Sequence, residues 1–514
     1  MLGPSGPTTV IFVIGWFADF FRFVWGLFYW NTRKSWFRLR GGRGRSPCQN
    51  PSDSGRAYET HCDACLHWDR PARFARVCPL LVATPQGLRC SVNTSAVRPF
   101  WGRVGGYTGG SLLGIYLAGA IGVFIFLRVI GYPVSIVHVT WPGLWYRVPQ
   151  ARSAYFFEQG NQAFAAGRVR EGLLYFDNAY KFDPSNYLAG LALARNYQTS
   201  RPVISDALFA RLYREHPGRR AATAQDWFRA LLARGDFAQV AAMAGHELVA
   251  DSPHASAWMR ALIFATRQLR DDTPLRALLG NTDPRIKPWR TLLETELFLQ
   301  SAQRAAARTS LLRPWPRDSP PYSLFYQVEN LLSLGENFTA LDQLGRSVGR
   351  LDDETALALR FAAYARAGLQ PRLAYEFNTL LSRPLTPPVI KLLSAHLIRY
   401  PDPVLFRNFY TKFERARLPL DIENAGAHFS VLCVAGVHSD RARMDEQITR
   451  LKALAAASFI GLNLVADFFN NESAAQRIVT FLPILPVPLE VTYALLERYP
   501  GAASRPAAPG ALNP

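Results

Sequence analysis

The cysteines are the residues whose type and spacing most directly suggest chemistry. Five of the six cysteines in the chain fall between positions 48 and 90. Cys62 and Cys65 have the C-x-x-C spacing with which two thiolates hold one metal ion. Cys78 and Cys90 are the simplest further ligands, with Cys48 as a substitute for either. The surrounding segment is polar and rich in Pro and Arg, so it has little core, and we predict a structural zinc ion that stabilises it.

Two other uses of these cysteines are open. Disulfides need an oxidising compartment and would leave one of the five thiols unpaired. The second alternative use is a redox pair formed by Cys62 and Cys65, although nothing around it resembles the βαβ setting of thioredoxin-like proteins. Zinc is the reading that the spacing favours.

The sequence contains no recognisable catalytic motif. There is no phosphate loop, no GxSxG and no HExxH. Cys433 shares the last third of the chain with His396, His428 and His438. No local signature of a cysteine nucleophile accompanies them, so we interpret Cys433 as a buried structural residue. We therefore expect a protein that is not an enzyme.

The positive charge is concentrated near the N-terminus. The chain has 58 Lys and Arg against 39 Asp and Glu, a net charge of +19, and residues 1–150 carry 16 of the former and 5 of the latter. This basic excess lies beside apolar segments, which indicates contact with a membrane surface. No nucleic-acid-binding motif accompanies it, so no nucleic-acid partner is expected.

Two apolar segments frame the cysteine region, which occupies residues 31–107 together with a basic linker. The first, in residues 1–30, has Asp19 and Arg22 three positions apart, so the two can pair on one helical face. This segment either spans the bilayer or lies in its interface. The second, in residues 108–132, is a clearer membrane-spanning helix, because residues 110–130 rise about 31 Å.

Small residues recur at every fourth position of the second membrane helix. They form a ridge of the kind that lets two membrane helices approach closely. The ridge consists of Gly110, Gly114, Ala118 and Gly122. It predicts either a homo-oligomer in the membrane or only the ordinary glycine enrichment of membrane helices.

The distribution of Lys and Arg predicts the topology. They crowd the start of segment 31–107, and Arg98 and Arg103 lie at its end, whereas the segment before the first helix has none. By the positive-inside rule the cysteine module faces the cytoplasm of an inner, cytoplasmic membrane. The chain after the second helix is then expected on the opposite side, although Arg147 and Arg152 weigh against this. In the juxtamembrane segment 133–150, residues 134–140 are predicted as a short strand.

From residue 151 to 499 the chain reads as helical hairpins. In residues 154–184 two helices meet at Gly167, and small residues alternate with aromatic ones where the helices touch. Pro184, Pro217 and Pro253 close three successive units at near-regular intervals. Further hairpins follow to about residue 499, and residues 500–514 are an Ala/Pro/Gly-rich tail that is expected to be disordered.

The first unit resembles the tetratricopeptide repeat (TPR) family, whose pattern is an aromatic, a small residue, then small–aromatic–small, then proline. Phe156, Gly160, Gly172, Phe176 and Ala179 stand at these positions, followed by Pro184. The resemblance implies a mostly α protein, with an α-solenoid of antiparallel helix pairs after the membrane helices. It also implies a binding scaffold, because TPR arrays dock proteins or peptides.

In a TPR-type solenoid the first helix of each hairpin lines the concave surface. The polar residues that flank the packing positions there are Asn161, Arg195, Asn196 and Gln198. We predict that they bind a protein or peptide partner, because Arg and Asn hydrogen-bond carboxylates and peptide backbones.

The expected function is therefore a membrane-tethered scaffold that contacts lipids and partner proteins. Its parts are similar to those of bacterial envelope-assembly factors that join a membrane helix, repeats and a zinc knuckle. The alternative is a metal- or redox-dependent membrane component whose working part is the cysteine cluster and whose repeats recruit partners.

Overall fold

The structure is a computed structural model. It describes residues 50–51, 58–59, 81–84, 87–90, 97–250, 252–316, 318–421, 423–454, 460–470 and 477–500. The described residues form 22 α-helices, and many of these pack in pairs as a helical-repeat array. The chain divides into two compact units, Met1–Val148 and Pro149–Pro514.

The first unit contains short strands and the apolar helix. Strands β1 (Asn50–Pro51) and β2 (Tyr58–Glu59) pair antiparallel, as do β3 (Leu81–Thr84) and β4 (Gly87–Cys90). Helix α1 is Val97–Ile130, and its part Gly109–Ile130 is the one helix in the described residues that is long and apolar enough to cross a membrane. This part matches the predicted second membrane segment.

Residues 134–140 do not form the predicted strand. Ile136–Thr140 is a short helix, α2, and the 3₁₀ turn Pro142–Leu144 follows it. Ser135 precedes the helix in an extended conformation, and its N–H donates to His138 Nδ1 at 3.3 Å. The β-branched residues favoured a strand, but this local bond and packing against α1 favour a helical turn.

The second unit is a series of helical hairpins. Its helices are α3 (Arg147–Ala165), α4 (Val169–Phe182), α5 (Tyr187–Ser200), α6 (Pro202–Glu215), α7 (Arg220–Arg234), α8 (Phe237–Ala250), α9 (Ala255–Leu269), α10 (Thr273–Leu279), α11 (Arg290–Gln300), α12 (Arg304–Leu312), α13 (Pro321–Ser333), α14 (Asn337–Arg346), α15 (Asp353–Arg366), α16 (Gln370–Ser382), α17 (Pro387–Arg399), α18 (Pro403–Ala416), α19 (Ala425–Val437), α20 (Arg441–Leu454), α21 (Ile460–Phe469) and α22 (Leu489–Arg498). Helices that pack in pairs are confirmed for this part of the chain, and the first of them begins at Arg147, seven residues before the predicted hairpin of residues 154–184.

The first hairpin shows why its small residues matter. A Cβ atom added at Gly160 would lie 2.5 Å from Cε1 of Phe176, and one added at Gly172 would overlap the ring of Phe164. Phe176 is 4% exposed. The two glycines therefore let α3 and α4 approach closely enough for the aromatic rings to fill the space beside them.

Replacing Gly172 with valine should destabilise this hairpin. We expect the free energy of unfolding to fall by about 1–3 kcal/mol, because the new side chain overlaps Phe164 and the core must move to admit it. Gly218→Val is the matched control, since Gly218 is exposed and a Cβ there meets nothing within 4 Å. Thermal unfolding of the two variants measures the difference, and equal melting temperatures would contradict this packing.

The first helices of successive hairpins form an inner layer. Helix α5 contacts α7, α13 contacts α15, α15 contacts α17 and α17 contacts α19. Apolar side chains from these helices belong to one continuous core that runs from Leu191 to Leu496. A separate small cluster joins the first hairpin to α5.

The end of the chain returns to this inner layer. Residues 478–498, which we call the closing segment, comprise the 3₁₀ turns Ile478–Thr480 and Leu482–Ile484 followed by α22. Gln198 Nε2 in α5 donates to the Pro483 carbonyl at 2.8 Å, and Arg399 Nε in α17 lies 2.6 Å from Glu497 Oε2. The closing segment thus joins early hairpins to late ones.

Candidate functional site

A cleft of about 880 Å³ opens in the described part of the array, between the inner helices and the closing segment. Helices α9, α11, α13, α15 and α22 all contribute side chains to it. Its charged lining residues are Arg260, Arg267, Arg270, Asp271, Asp272, Glu296, Glu329, Arg366 and Glu497. The cleft is therefore a polar site assembled from hairpins that are distant in sequence.

An ion pair between the partly exposed Arg267 and the buried Glu296 forms the floor of the cleft. Arg267 Nη2 lies 2.6 Å from Glu296 Oε2, and Arg267 Nε lies 2.8 Å from Oε1. Tyr326 OH donates to Glu296 Oε2 at 2.6 Å, and Arg267 Nη2 donates to Asn330 Oδ1 at 2.9 Å. Burial acts to lower the pKa of Arg267, but the charge and hydrogen bonds of Glu296, together with Tyr326 and Glu329, outweigh it and raise that pKa well above its usual range. This network is satisfied internally, so it shapes the site and leaves little for a ligand.

Arg260 is held differently. Its guanidinium lies 4.4 Å from the ring centroid of Tyr493 and 5.4 Å from that of Phe325. It makes no hydrogen bond or ion pair with any described residue. Two aromatic faces thus position a guanidinium whose N–H donors are free to face the cleft.

Glu329 lies where the cleft meets a second cavity of about 330 Å³. Arg366 and Glu497 line both cavities as well. Burial, and then the Glu497 carboxylate, raise the pKa of Glu329. Its carboxylate has no hydrogen-bond donor among the described residues, so it is the one acidic group of the lining that local bonds leave free.

The other acidic groups of the lining are occupied. Asp271 accepts from the Thr273 N–H at 3.0 Å, Asp272 pairs with Arg276 at 2.6 Å, and Glu497 pairs with Arg399. Of the guanidinium groups, Arg260 and the exposed Arg270 have no carboxylate partner within the described residues. Arg366 donates only to neutral oxygens, those of Leu332 and Tyr400, at 2.9 and 3.0 Å. The lining holds four guanidinium groups and five carboxylates. Among the described residues, three of the guanidinium groups, those of Arg260, Arg270 and Arg366, have no ion-paired carboxylate, against two carboxylates, those of Asp271 and Glu329, that have no ion-paired cation. The unpaired guanidinium groups can bind a carboxylate or a phosphate.

The four residues predicted to bind a partner do not line this cleft. Asn161 is exposed on α3, and Arg195 pairs with Asp226 at 2.7 Å. Asn196 Nδ2 donates to the Ala192 carbonyl of its own helix at 2.8 Å, while Gln198 binds the closing segment. The residues that line the cleft were missed because Arg260 and Tyr493 lie more than 200 positions apart and carry no shared local signal.

The closing segment is held too strongly for a ligand to displace it. Phe481, Leu482, Val491, Leu495 and Leu496 are each at most 1% exposed. Burying each such side chain contributes about 1.5–3 kcal/mol, so together they contribute about 8–15 kcal/mol, which matches or exceeds the roughly 8 kcal/mol of a micromolar ligand. The segment is a permanent wall of the cleft.

The predicted zinc ligands Cys62, Cys65 and Cys78, together with the substitute Cys48, lie outside the described residues. Cys90 ends β4 and is paired in register with Leu81. No group of three or more His, Cys, Asp or Glu residues in the described part of the chain is arranged to hold a metal ion. The zinc site and the alternative metal or redox function remain predictions.

Cys433 has the properties of a core residue. Its side chain is fully buried in α19, and burial raises the pKa of its thiol to about 12. Burial also lowers the pKa of His396, to about 4. Both groups are therefore neutral at pH 7.

In comparisons with known proteins, no protein-family model, no curated protein and no solved structure matches this chain.

Proposed function

We propose that this protein is a membrane-tethered, non-enzymatic scaffold whose helical array docks a carboxylate-bearing segment of a partner protein in the cleft. Arg260 carries the proposal, because it is a guanidinium positioned by two aromatic rings and forms no ion pair with a carboxylate of the described residues. A carboxylate that entered the cleft would accept two parallel hydrogen bonds from it.

The lining of the cleft favours a polypeptide segment over a small apolar molecule. Pockets for small ligands are lined mainly by apolar side chains with a few polar groups, whereas charged and neutral polar side chains together outnumber apolar ones here. The resemblance of the first hairpin to TPR units supports the same choice, because that family docks extended segments. The apolar helix Gly109–Ile130 supplies the tether, and we place the assembly at a bacterial envelope membrane.

Arg260→Ala should weaken partner binding without unfolding the array. We expect a loss of about tenfold to a hundredfold in affinity, because a hydrogen bond to a charged group contributes about 1.5–3 kcal/mol. Arg260→Lys should recover only part of this loss, since lysine keeps the charge but not the planar fork. Recovery of the partner with the full chain from detergent-solubilised membranes measures the effect.

Arg346→Ala is the matched control. Arg346 is an exposed arginine on α14, paired with Asp342 four residues earlier, and it does not line the cleft. We expect normal recovery with this variant, and only a small drop in melting temperature for Arg260→Ala, from the roughly 0.5–1 kcal/mol contributed by each of its contacts with Tyr493 and Phe325. Equal recovery with both variants would contradict a docking role for Arg260.

A further inference from the structure

The chain reverses direction at the end of α1 and runs back along it. The helix ends at Ile130, and Gly131 has φ 100°, a left-handed conformation that glycine adopts readily. Ten residues later, the Thr140 carbonyl accepts a hydrogen bond from Tyr116 OH at 2.5 Å. Tyr116 lies 14 residues before Ile130, which corresponds to about 21 Å of helix. The returning segment 131–140 therefore travels back over most of the length of the apolar helix.

The return covers one face of the helix. Ala120 and Leu127 are 7% and 8% exposed, whereas Leu113, Ile115, Val123 and Phe126 are at least 50% exposed. In the returning segment Tyr132, Val134 and Val139 are buried. The small residues Gly110, Gly114, Ala118 and Gly122 remain exposed, and a Cβ at any of the three glycines meets nothing within 4 Å.

Several backbone N–H groups of the irregular return are bonded within the hairpin, which lowers the cost of placing them in hydrocarbon. The N–H groups of Gly131 and Tyr132 donate to the carbonyls of Arg128 and Leu127, each at 3.0 Å. The Val134 N–H donates to the Tyr132 carbonyl at 2.8 Å, and Pro133 has no N–H to satisfy. Trp145 Nε1 donates to the Val139 carbonyl at 2.9 Å.

Charges stand only at the ends and the tip of this hairpin. No Asp, Glu, Lys or Arg occurs in residues 104–127 or in residues 129–146. Arg128 is at the tip, where its side chain can reach the far interface. Arg103 precedes one arm and Arg147 follows the other, and Trp141, Trp145 and Tyr146 are exposed just before Arg147. Basic residues at both ends and aromatic residues beside one of them are typical of a cytoplasmic interface.

We propose that residues 109–146 form a membrane hairpin, so that the chain leaves the bilayer on the side from which it entered. The partner of its exposed apolar surface is the bilayer hydrocarbon. The helical array then lies on the same side of the membrane as the basic linker. A single crossing by Gly109–Ile130 would instead put the array and the linker on opposite sides. Arg147 and Arg152, which conflict with a single crossing, fit the hairpin. The inference rests on the proposed membrane tether.

Protease accessibility in sealed vesicles tests this topology with the full chain. One variant carries a site for a sequence-specific protease after Gly44, and a second carries it at Gly218, an exposed position before α7. In inside-out vesicles we expect both sites to be cut without detergent. In right-side-out vesicles we expect neither to be cut until detergent is added.

A different pattern would overturn the hairpin. Suppose that one site were cut only in inside-out vesicles and the other only in right-side-out vesicles. Residues 109–146 would then cross the membrane once. If the insertion at Gly218 disturbs folding, a Gly218→Cys variant replaces it. The extra labelling of this variant by a membrane-impermeant maleimide, relative to the parent chain, shows in which vesicles the position is accessible. Release of the protein by alkaline carbonate would instead refute the membrane tether, and with it that part of the proposed function.

Discussion

Truncation before the closing segment should leave the helical array unable to unfold as one cooperative unit. Helical-repeat arrays are held together mainly by contacts between neighbouring hairpins. Residues 478–498 add a direct link, because they contact α5 near one end of the array and α17 near the other. Their removal exposes the inner core and should cost of the order of 10 kcal/mol. Calorimetry should show a broad transition, or two transitions, in place of one.

A point substitution tests the stabilising role of the closing segment with a smaller perturbation. Tyr493 is 1% exposed and contacts Phe264 with ring centroids 4.8 Å apart. Tyr493→Ala should lower the free energy of unfolding by about 3–5 kcal/mol, as expected for an aromatic side chain removed from a core. Tyr375→Ala is the matched control, because Tyr375 is 74% exposed. Similar melting temperatures for these two variants would show that the closing segment does not stabilise the array.

Removing the side chain of Arg234 should have the second largest effect. Its Nη2 lies 2.7 Å from Asp206 Oδ1, and its Nε lies 2.8 Å from Asp236 Oδ2. The three side chains are between 8% and 14% exposed. Arg234→Ala leaves two nearly buried carboxylates without their cation, so we expect a loss of about 3–5 kcal/mol of stability. Chemical denaturation of the variant measures it.

Two further variants separate the charge of Arg234 from its volume. Arg234→Met keeps most of the volume without the charge and should be almost as unstable as Arg234→Ala. Arg211→Ala removes a more exposed arginine, paired with Glu215 at 2.8 Å, and should cost at most about 1 kcal/mol. If Arg234→Met restored full stability, packing alone would explain the role of this residue.

The hairpins could be predicted from the sequence because their signals are local. Gly167 and Gly235 both adopt positive φ at the turn between two helices, and prolines close the early units. Gly160 and Gly172 are small where the helices touch. Each of these features acts within about 20 residues, so the sequence displays it directly.

The cleft could not be predicted, because it depends on contacts between distant hairpins. The Gln198–Pro483 hydrogen bond joins residues 285 positions apart. The proline-rich stretch around Pro483 carries no local signal of a contact with α5, yet its backbone bonds to that helix. Gln198 was correctly identified as a polar residue of a first helix, but this chain itself supplies its partner.

The return of residues 131–140 was missed for a related reason. Ten residues are too few for a second membrane helix, so a search for apolar helices of sufficient length finds only one crossing in this region. The hydrogen bond from Tyr116 to Thr140 reveals the reversal. The charge-free stretch 129–146 was the available signal in the sequence.

Site-specific photo-crosslinking in native membranes tests the docking cleft most directly. A photoreactive amino acid replaces Gln268, a lining residue of the cleft on α9, in the full chain, and a second variant carries it at the exposed Arg346. We expect a protein adduct from position 268, its loss when Arg260→Ala is added, and no such adduct from position 346. The same adduct from both positions, or one from position 268 that persists with Arg260→Ala, would contradict docking in the cleft.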